Sequence, residues 1–249
     1  MNYFLTIAAS DNSGGAGIQQ DIKVAHDLGY WALSAVSGIT VQNFKKVFEI
    51  EAVKPYLLQS QIEQCLMSFP VQAIKIGAIC NIENLKVIAS CLKSYSAIHV
   101  VLDTVFFSTS GKTFLDTSAL NTLKEILFPL TEIVTPNKLE FEILTNRNIN
   151  NIDEAIEIAK DKCLEWDTSI LLKGGHFNDV MIKEALITKI HVSKFERERK
   201  DYIYQHGTGC TISTALACFI GKNISLSKSY SLATGYLIKH YDSLQIKMS

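Results

Sequence analysis

Apolar and polar positions along the chain fall into two alternating rhythms. Short apolar runs of strand length are separated by segments in which apolar residues recur every three or four positions. The chain opens with one such run, Tyr3 to Ala9, followed by a glycine-rich loop, Ser10 to Gly15. From Gly17 onward, Ile18, Ile22, Ala25 and Leu28 fall at helical spacing, and Gly29 marks a stop. Trp31 to Val41 reads as a second strand, apolar almost throughout, as in a strand covered on both faces. Helical patterns follow at Tyr56 to Met67, Glu83 to Leu92, Ala119 to Leu127 and Asp153 to Trp166. Strand patterns interleave with them at Ala73 to Ile76, Ile98 to Leu102, Glu132 to Thr135 and Ser169 to Leu172. Three short extended pieces, Ala185 to Thr188, Ile190 to Phe195 and Tyr202 to Tyr204, precede two closing helices, Cys210 to Ile220 and Ser227 to His240.

This alternation predicts an α/β fold: a mostly parallel central sheet covered by helices on both faces, with a short antiparallel edge from the late strands. No linker-like stretch or internal repeat divides the sequence, so a single domain over residues 1–249 is expected. In such sheets ligands gather at the carboxyl ends of the strands. The loops after Ala9, Val41, Gly77, Asp103, Thr135 and Leu172 should therefore meet at a site.

Composition narrows the partners. Lys plus Arg total 24 against 25 Asp plus Glu, a formal net charge of -1, which offers no broad basic surface to nucleic acid or an anionic membrane. The densest charge run, Lys194 to Asp201, mixes signs and reads as a solvated edge. None of the six cysteines forms a Cys-x-x-Cys pair and His does not recur at metal-site spacing, which argues against a disulfide framework or zinc site. Free thiols suit a reducing, cytoplasmic compartment. The N-terminus lacks a basic leader region, and no apolar run reaches membrane-spanning length.

Two glycine motifs fail as nucleotide signatures. After the first strand, Gly15 and Gly17 supply two glycines of a dinucleotide fingerprint, but Gln20 stands at the third position. Ser110-Gly111-Lys112-Thr113 resembles the end of a P-loop, but its first glycine position holds Phe106. Both read as tight turns.

Four other segments carry chemistry. Gly207-Thr208-Gly209-Cys210 runs directly into an apolar helix, so backbone N–H groups and the helix start converge as an anion hole suited to a transferring phosphoryl group. Cys210 at that helix start should have a lowered thiol pKa and could accept a hydroxyl proton. A plain glycine-rich helix cap fits the tetrapeptide equally well. Asn137 and Glu140, three residues apart on one helix face, suit a hydrated Mg²⁺, or simply a capping box. Lys173-Gly174-Gly175 lets a ligand approach the backbone after a strand, or makes a turn. Asp103 ends a buried strand, placed for a metal or a lysine, or for a strand-end turn.

The order of these segments resembles the ribokinase-like superfamily and, within it, the hydroxymethylpyrimidine/phosphomethylpyrimidine kinases of thiamine biosynthesis. The residues that carry the resemblance are TIAASDNSGGAGIQQDIK (6–23), ITVQN (39–43), IKIGAI (74–79), VLDTVFFSTSG (101–111), TPNKLE (135–140), LLKGGH (171–176) and HGTGC (206–210). The resemblance implies a three-layer α/β/α kinase that uses ATP and Mg²⁺. It implies phosphorylation of a small hydroxymethylpyrimidine and then of its monophosphate, by a protein that is commonly a homodimer. Cys210 would be the base and the backbone of Gly207, Thr208 and Gly209 the anion hole. Asn137, Glu140 and Asp103 would serve the metal, and Lys173 and Gly174 the nucleotide. Gln42 would bond the aminopyrimidine edge in a pocket shaped by Ala9, Asp21, Ala78 and Val105. Most sugar kinases of the superfamily carry Asp where Cys210 stands. Ala9 replaces a usual Gly and narrows the pocket floor, and Ala78 replaces a larger residue and opens one wall. Two rival functions follow from the same residues: a pyridoxal-type kinase, and a non-catalytic pyrimidine-binding protein.

Overall fold

The computed structural model describes residues 1–108, 110–176, 181–200, 202 and 205–248. Among them, strands β1 (Asn2–Asp11), β2 (Tyr30–Gln42), β3 (Val47–Ala52), β4 (Val71–Ile76), β5 (His99–Leu102), β6 (Ile133–Val134), β7 (Ser169–Leu172), β8 (Met181–Ile187) and β9 (Val192–Glu198) form one sheet, ordered β3-β2-β1-β4-β5-β6-β7-β8-β9. The strands from β2 across to β7 are parallel. The sheet is antiparallel at both edges, through β3 on one side and β8 and β9 on the other.

The helices are α1 (Gly17–Asp27), α2 (Pro55–Ser68), α3 (Ile82–Leu92), α4 (Leu120–Ile126), α5 (Lys138–Thr145), α6 (Ile152–Glu165), α7 (Thr208–Ile220) and α8 (Leu226–Met248). Alternate residues of each strand supply two cores, because successive side chains point to opposite faces. Leu5, Ile7, Ile74, Ile76, Val100, Leu102, Val134 and Ile170 pack against α2 to α6. Phe4, Ala73, Val101, Ile133 and Leu171 pack against α1, α7 and α8. Three layers result, as the sequence pattern predicts.

The differences from expectation lie at the edges. Strand β3 was not expected. It follows a tight turn in which Asn43 Oδ1 accepts the Lys45 and Lys46 N–H groups, and its alternating VFEIEA pattern belongs to a half-exposed edge. The hairpin β8–β9 is longer than the predicted pieces, because its polar alternating positions hide a strand from a reading that looks for apolar runs. Ile190, assigned to a strand, is 96% exposed in the hairpin turn. The predicted strand Tyr202 to Tyr204 falls largely outside the described residues. The predicted Ala119 to Leu127 helix divides into a 3₁₀ turn, Thr117–Ala119, and α4.

The helix starts differ in how they are capped, and α2 and α4, like α1 and α7, have no side-chain cap. Helices α3, α5 and α6 begin on Asn81, Asn137 and Asn151, each of whose side chains accepts a backbone N–H of the first turn. Helices α1 and α7 begin on Ala16 and Gly207 with no side-chain cap. Their first-turn N–H groups are left for other partners, and both starts open onto the carboxyl ends of the strands.

Candidate active site

A cavity of about 450 Å³ lies at the carboxyl ends of the strands. The sheet order gives it two ends. Toward β2 and β3 the wall is formed by Ala9, Val47, Ala78, Phe114 and Val105, with Gln42 beside them. Toward β8 and β9 it is formed by Lys173, Gly175, Glu184 and Arg197, with Ile212 and Leu237 from the helices above. The turn Gly207 to Cys210 stands between the two ends.

That turn is fixed by the loop after β1. Buried Asp11 accepts the Ser13 N–H and hydroxyl at 2.7 Å each and the Ala16 N–H at 2.8 Å. His206 Nε2 lies 2.9 Å from the same carboxylate. Burial opposes the charge of Asp11, but the bonds from His206, Ser13 and Ala16 outweigh it and hold the carboxyl well below the usual range. Gly207 has φ +82°, and a Cβ there would lie 1.9 Å from the Gly15 carbonyl oxygen. Gly17 is equally constrained: its φ is +56°, and a Cβ would lie 2.3 Å from the Ala9 carbonyl oxygen. The glycines that imitate a dinucleotide fingerprint therefore serve close packing between this loop, β1 and the turn. The second imitation, around Gly111, is likewise a turn, with φ +85° and the Ser108 N–H bonded to the Lys112 carbonyl.

Cys210 sits in the first turn of α7, and its sulfur accepts the Gly17 N–H from the start of α1. The expected lowering of its thiol pKa is not what the structure gives. Burial pushes the thiol up to about 11, against the opposing pull of Lys75 and the Gly17 N–H, while Asp21 and Asp103 add to the rise. Position at a helix start is present as expected, but desolvation outweighs it.

Beneath the turn, Lys173 Nζ lies 2.8 Å from Asp103 Oδ1 and 3.9 Å from Glu140 Oε2. Thr135 and Ser213 also donate to Asp103, at 3.2 and 3.1 Å. A Cβ on Gly209 would sit 3.9 Å from Lys173 Nζ, so the ammonium lies close beneath the Gly207–Cys210 turn. Burial opposes both charges. Lys173 and Lys75 nevertheless hold the Asp103 carboxyl low, and Asp103 and Glu140 hold the Lys173 ammonium high. Burial pushes Glu140 up to about 7, against Lys173.

Asn137 and Glu140 form a reciprocal capping box at 3.0 and 2.8 Å, and Thr104 donates to the same Glu140 oxygen at 2.9 Å. The Asn137 carbonyl oxygen and Glu140 Oε2 are thus occupied within the protein. Among the described residues no group of three or more His, Cys, Asp or Glu side chains is arranged to hold a metal ion.

Two expected wall residues stand elsewhere. Asp21 is fully buried one layer below the cavity, paired with Lys75 and bonded to Thr6 and Thr214. Gly174 packs against β8, where a Cβ would lie 1.8 Å from the Lys183 carbonyl oxygen, and Gly175 takes the cavity position. The sequence reading missed Asp11, His206, Lys75, Glu184 and Arg197. Lys75 carried a signal: one lysine inside the buried run Val71 to Ile79 demands a partner. Glu184 and Arg197 pair across the β8–β9 hairpin at 3.1 Å, a contact visible only once the register is known.

A glycine-built turn with no side-chain cap, set between an apolar chamber and an end lined by paired charges on a mostly parallel sheet, suits a small-molecule kinase of the ribokinase-like fold. The chain belongs to the phosphomethylpyrimidine kinase family, whose model matches residues 11–248. It is 34% identical to the hydroxymethylpyrimidine/phosphomethylpyrimidine kinase of Rhizobium meliloti, over 97% of this chain and 92% of that one. Among solved structures it resembles the phosphomethylpyrimidine kinase of Clostridium difficile 630, with a TM-score of 0.85 at 31% identity, covering 96% of this chain and 99% of that one. It also resembles the ADP complex of Bacillus subtilis pyridoxal kinase, with a TM-score of 0.85 at 25% identity, covering 94% of this chain and 90% of that one. The chain spans about half the length of two further curated relatives, a bifunctional thiamine biosynthesis protein of Geobacter sulfurreducens and a putative hydroxymethylpyrimidine/phosphomethylpyrimidine kinase of Schizosaccharomyces pombe.

Proposed function

We propose that this chain uses ATP and Mg²⁺ to phosphorylate 4-amino-5-hydroxymethyl-2-methylpyrimidine, and then phosphorylates the monophosphate to the pyrophosphate, in thiamine biosynthesis. The observation that carries this reading is the position of the Gly207–Cys210 turn between a chamber presenting Gln42 and an end presenting Lys173. The pyrimidine enters the chamber of Ala9, Ala78 and Val105. The Gln42 amide, which has no hydrogen-bond partner among the described residues, bonds its aminopyrimidine edge. The nucleotide lies toward Lys173 and Gly175, beside the Arg197–Glu184 pair. Asp21 supports the floor from below.

The N–H groups of the turn and the Lys173 ammonium take up charge on the transferring phosphoryl group. Cys210 takes the hydroxyl proton. The thiolate is the minor form at neutral pH, but loose phosphoryl transfer asks more of alignment than of base strength. A Mg²⁺ ion that keeps most of its waters fits the site. Glu140 Oε1 has no hydrogen-bond partner among the described residues and could hold such a water, while the Asn137 oxygen is already spent in the capping box. Asp103, engaged by Lys173, Thr135 and Ser213, serves the lysine before any metal. When bound, the ion would supply charge neutralisation on the phosphates.

The resemblance to a pyridoxal kinase favours one second reading, phosphorylation of pyridoxal in the same chamber. Side-by-side kcat/KM values for the pyrimidine and pyridoxal decide between them, and a higher value for pyridoxal would remove the first reading. We further propose a single cytoplasmic kinase domain that pairs as a homodimer. All six cysteines are free, and no helix among the described residues is long and apolar enough to cross a membrane. Exposed Ile39, Val41 and Phe48 on the β2–β3 ribbon offer an apolar face for a second copy. Sedimentation at a single-chain mass across the micromolar range would remove the dimer.

A further inference from the structure

Lys75 is a fully buried site-lining residue whose charge the proposed transfer chemistry leaves unused. Its side chain has no exposed surface, yet it forms part of the cavity wall together with Cys210. It projects from β4 on the same face as Ala73, beneath α1 and α7. Its ammonium lies 3.0 and 2.9 Å from the two carboxylate oxygens of Asp21 on α1. Asp21 is held in turn by the hydroxyls of Thr6 at 2.6 Å and Thr214 at 2.8 Å. The strand, both helices and two hydroxyls therefore fix one ion pair in one orientation.

That orientation is polar. The Lys75 end belongs to the cavity wall and the Asp21 end does not. Asp21 accepts two of the three ammonium hydrogens at most, and no other acceptor for Lys75 occurs among the described residues. A Cβ at Gly77 would lie 2.9 Å from Lys75 Nζ, so glycine at that position leaves the space the ammonium occupies. A buried pair of this kind is a costly way to stabilise a core, and apolar residues of similar volume often do as well. Its cavity-facing positive end is what such replacements could not provide.

We propose that Lys75 is a positioning residue of the transfer site: anchored by Asp21, it presents a fixed positive charge that stabilises Cys210 as an anion while the acceptor hydroxyl loses its proton. This rests on the reading of Cys210 as proton acceptor. The charged groups that act on the sulfur come from each neighbouring element: Lys75 on β4, Asp21 on α1, Asp103 after β5 and Lys173 after β7. Lys75 favours the thiolate, and it accounts for how a thiol whose surroundings oppose ionisation can still act as an acceptor.

The deciding readout, alkylation, needs neither ATP nor pyrimidine, so its failure is separable from failure of the substrate reading. Cys210 in the full-length chain is alkylated with iodoacetamide over a pH series, and modification of each of the six cysteines is read by peptide mass spectrometry. Lys75→Met combined with Asp21→Asn removes the pair without stranding a buried charge. In that variant Cys210 should alkylate about tenfold more slowly near pH 8, an upward displacement of its profile by about one unit. Cys80, whose rise in pKa comes from its own burial, should keep its profile. Turnover should fall about tenfold with KM for ATP held. A cooperatively melting double variant with an unmoved Cys210 profile overturns the proposal. If the double variant does not fold, Lys75→Met alone decides: whether Asp21 stays charged or takes up a proton, loss of the ammonium should raise the Cys210 profile, and an unmoved or lowered profile overturns the proposal.

Discussion

His206 Nε2 lies 2.9 Å from Asp11 Oδ2, joining the end of the first strand to the Gly207–Cys210 turn at the far end of the chain. The same carboxylate holds Ser13 and Ala16, so one buried group positions the starts of both α1 and α7. Its folded pKa is depressed. A depressed acid stabilises the fold fully above its unfolded value, near 3.9, and loses that contribution as pH falls below it. Asp11→Asn should cost about 1–3 kcal/mol at neutral pH by urea unfolding. Below about pH 4 the gap between variant and wild type should shrink. A gap that stays constant with pH would show that Asp11 is not the titrating group.

Gly207 tests the close approach of the two loops. Gly207→Ala combines a left-handed φ with a contact at 1.9 Å to backbone that cannot swing away. It should lower stability by at least about 2 kcal/mol. Gly175→Ala meets nothing within 4 Å and should leave the melting temperature nearly unchanged. Equal melting temperatures for the two variants would contradict the packing described.

Removal of the thiol separates chemistry from folding. Cys210→Ala should reduce kcat by about 10²–10⁴-fold while the protein melts normally. Cys210→Asp, which restores the residue of most sugar kinases in the superfamily, should retain more turnover than the alanine variant. A Cys210→Ala enzyme with wild-type kcat would take the thiol out of the mechanism.

Gln42 reports on the acceptor chamber alone. Gln42→Leu removes the amide while its backbone N–H keeps its bond to Asn12 Oδ1. KM for the pyrimidine should rise about tenfold, one hydrogen bond's worth, with KM for ATP unchanged. A change in the ATP value instead would place Gln42 at the other end of the cavity.

The central sheet was legible because its strands are covered on both faces and read as continuous apolar runs, as Ile98 to Leu102 shows. The edges were not, because β3 and the β8–β9 hairpin alternate with polar residues and lean on pairing rather than burial. The turn before the last helix pair was legible from its glycines, and Gly207 and Gly209 stand at the start of α7 and line the cavity. The acidity of Cys210 was not. A helix start shows in sequence, whereas burial by residues as distant as Lys75 and Asp103 does not. Asn137 and Glu140 form the capping box that their spacing allowed, and Glu140 also lines the cavity.

The most direct measurement is a time course of the purified chain with ATP, Mg²⁺ and hydroxymethylpyrimidine, with products followed by mass spectrometry. The account predicts that the monophosphate appears first and is then consumed as the pyrophosphate accumulates, with both steps lost in Cys210→Ala. Absence of both products under conditions where the same preparation phosphorylates pyridoxal would contradict it.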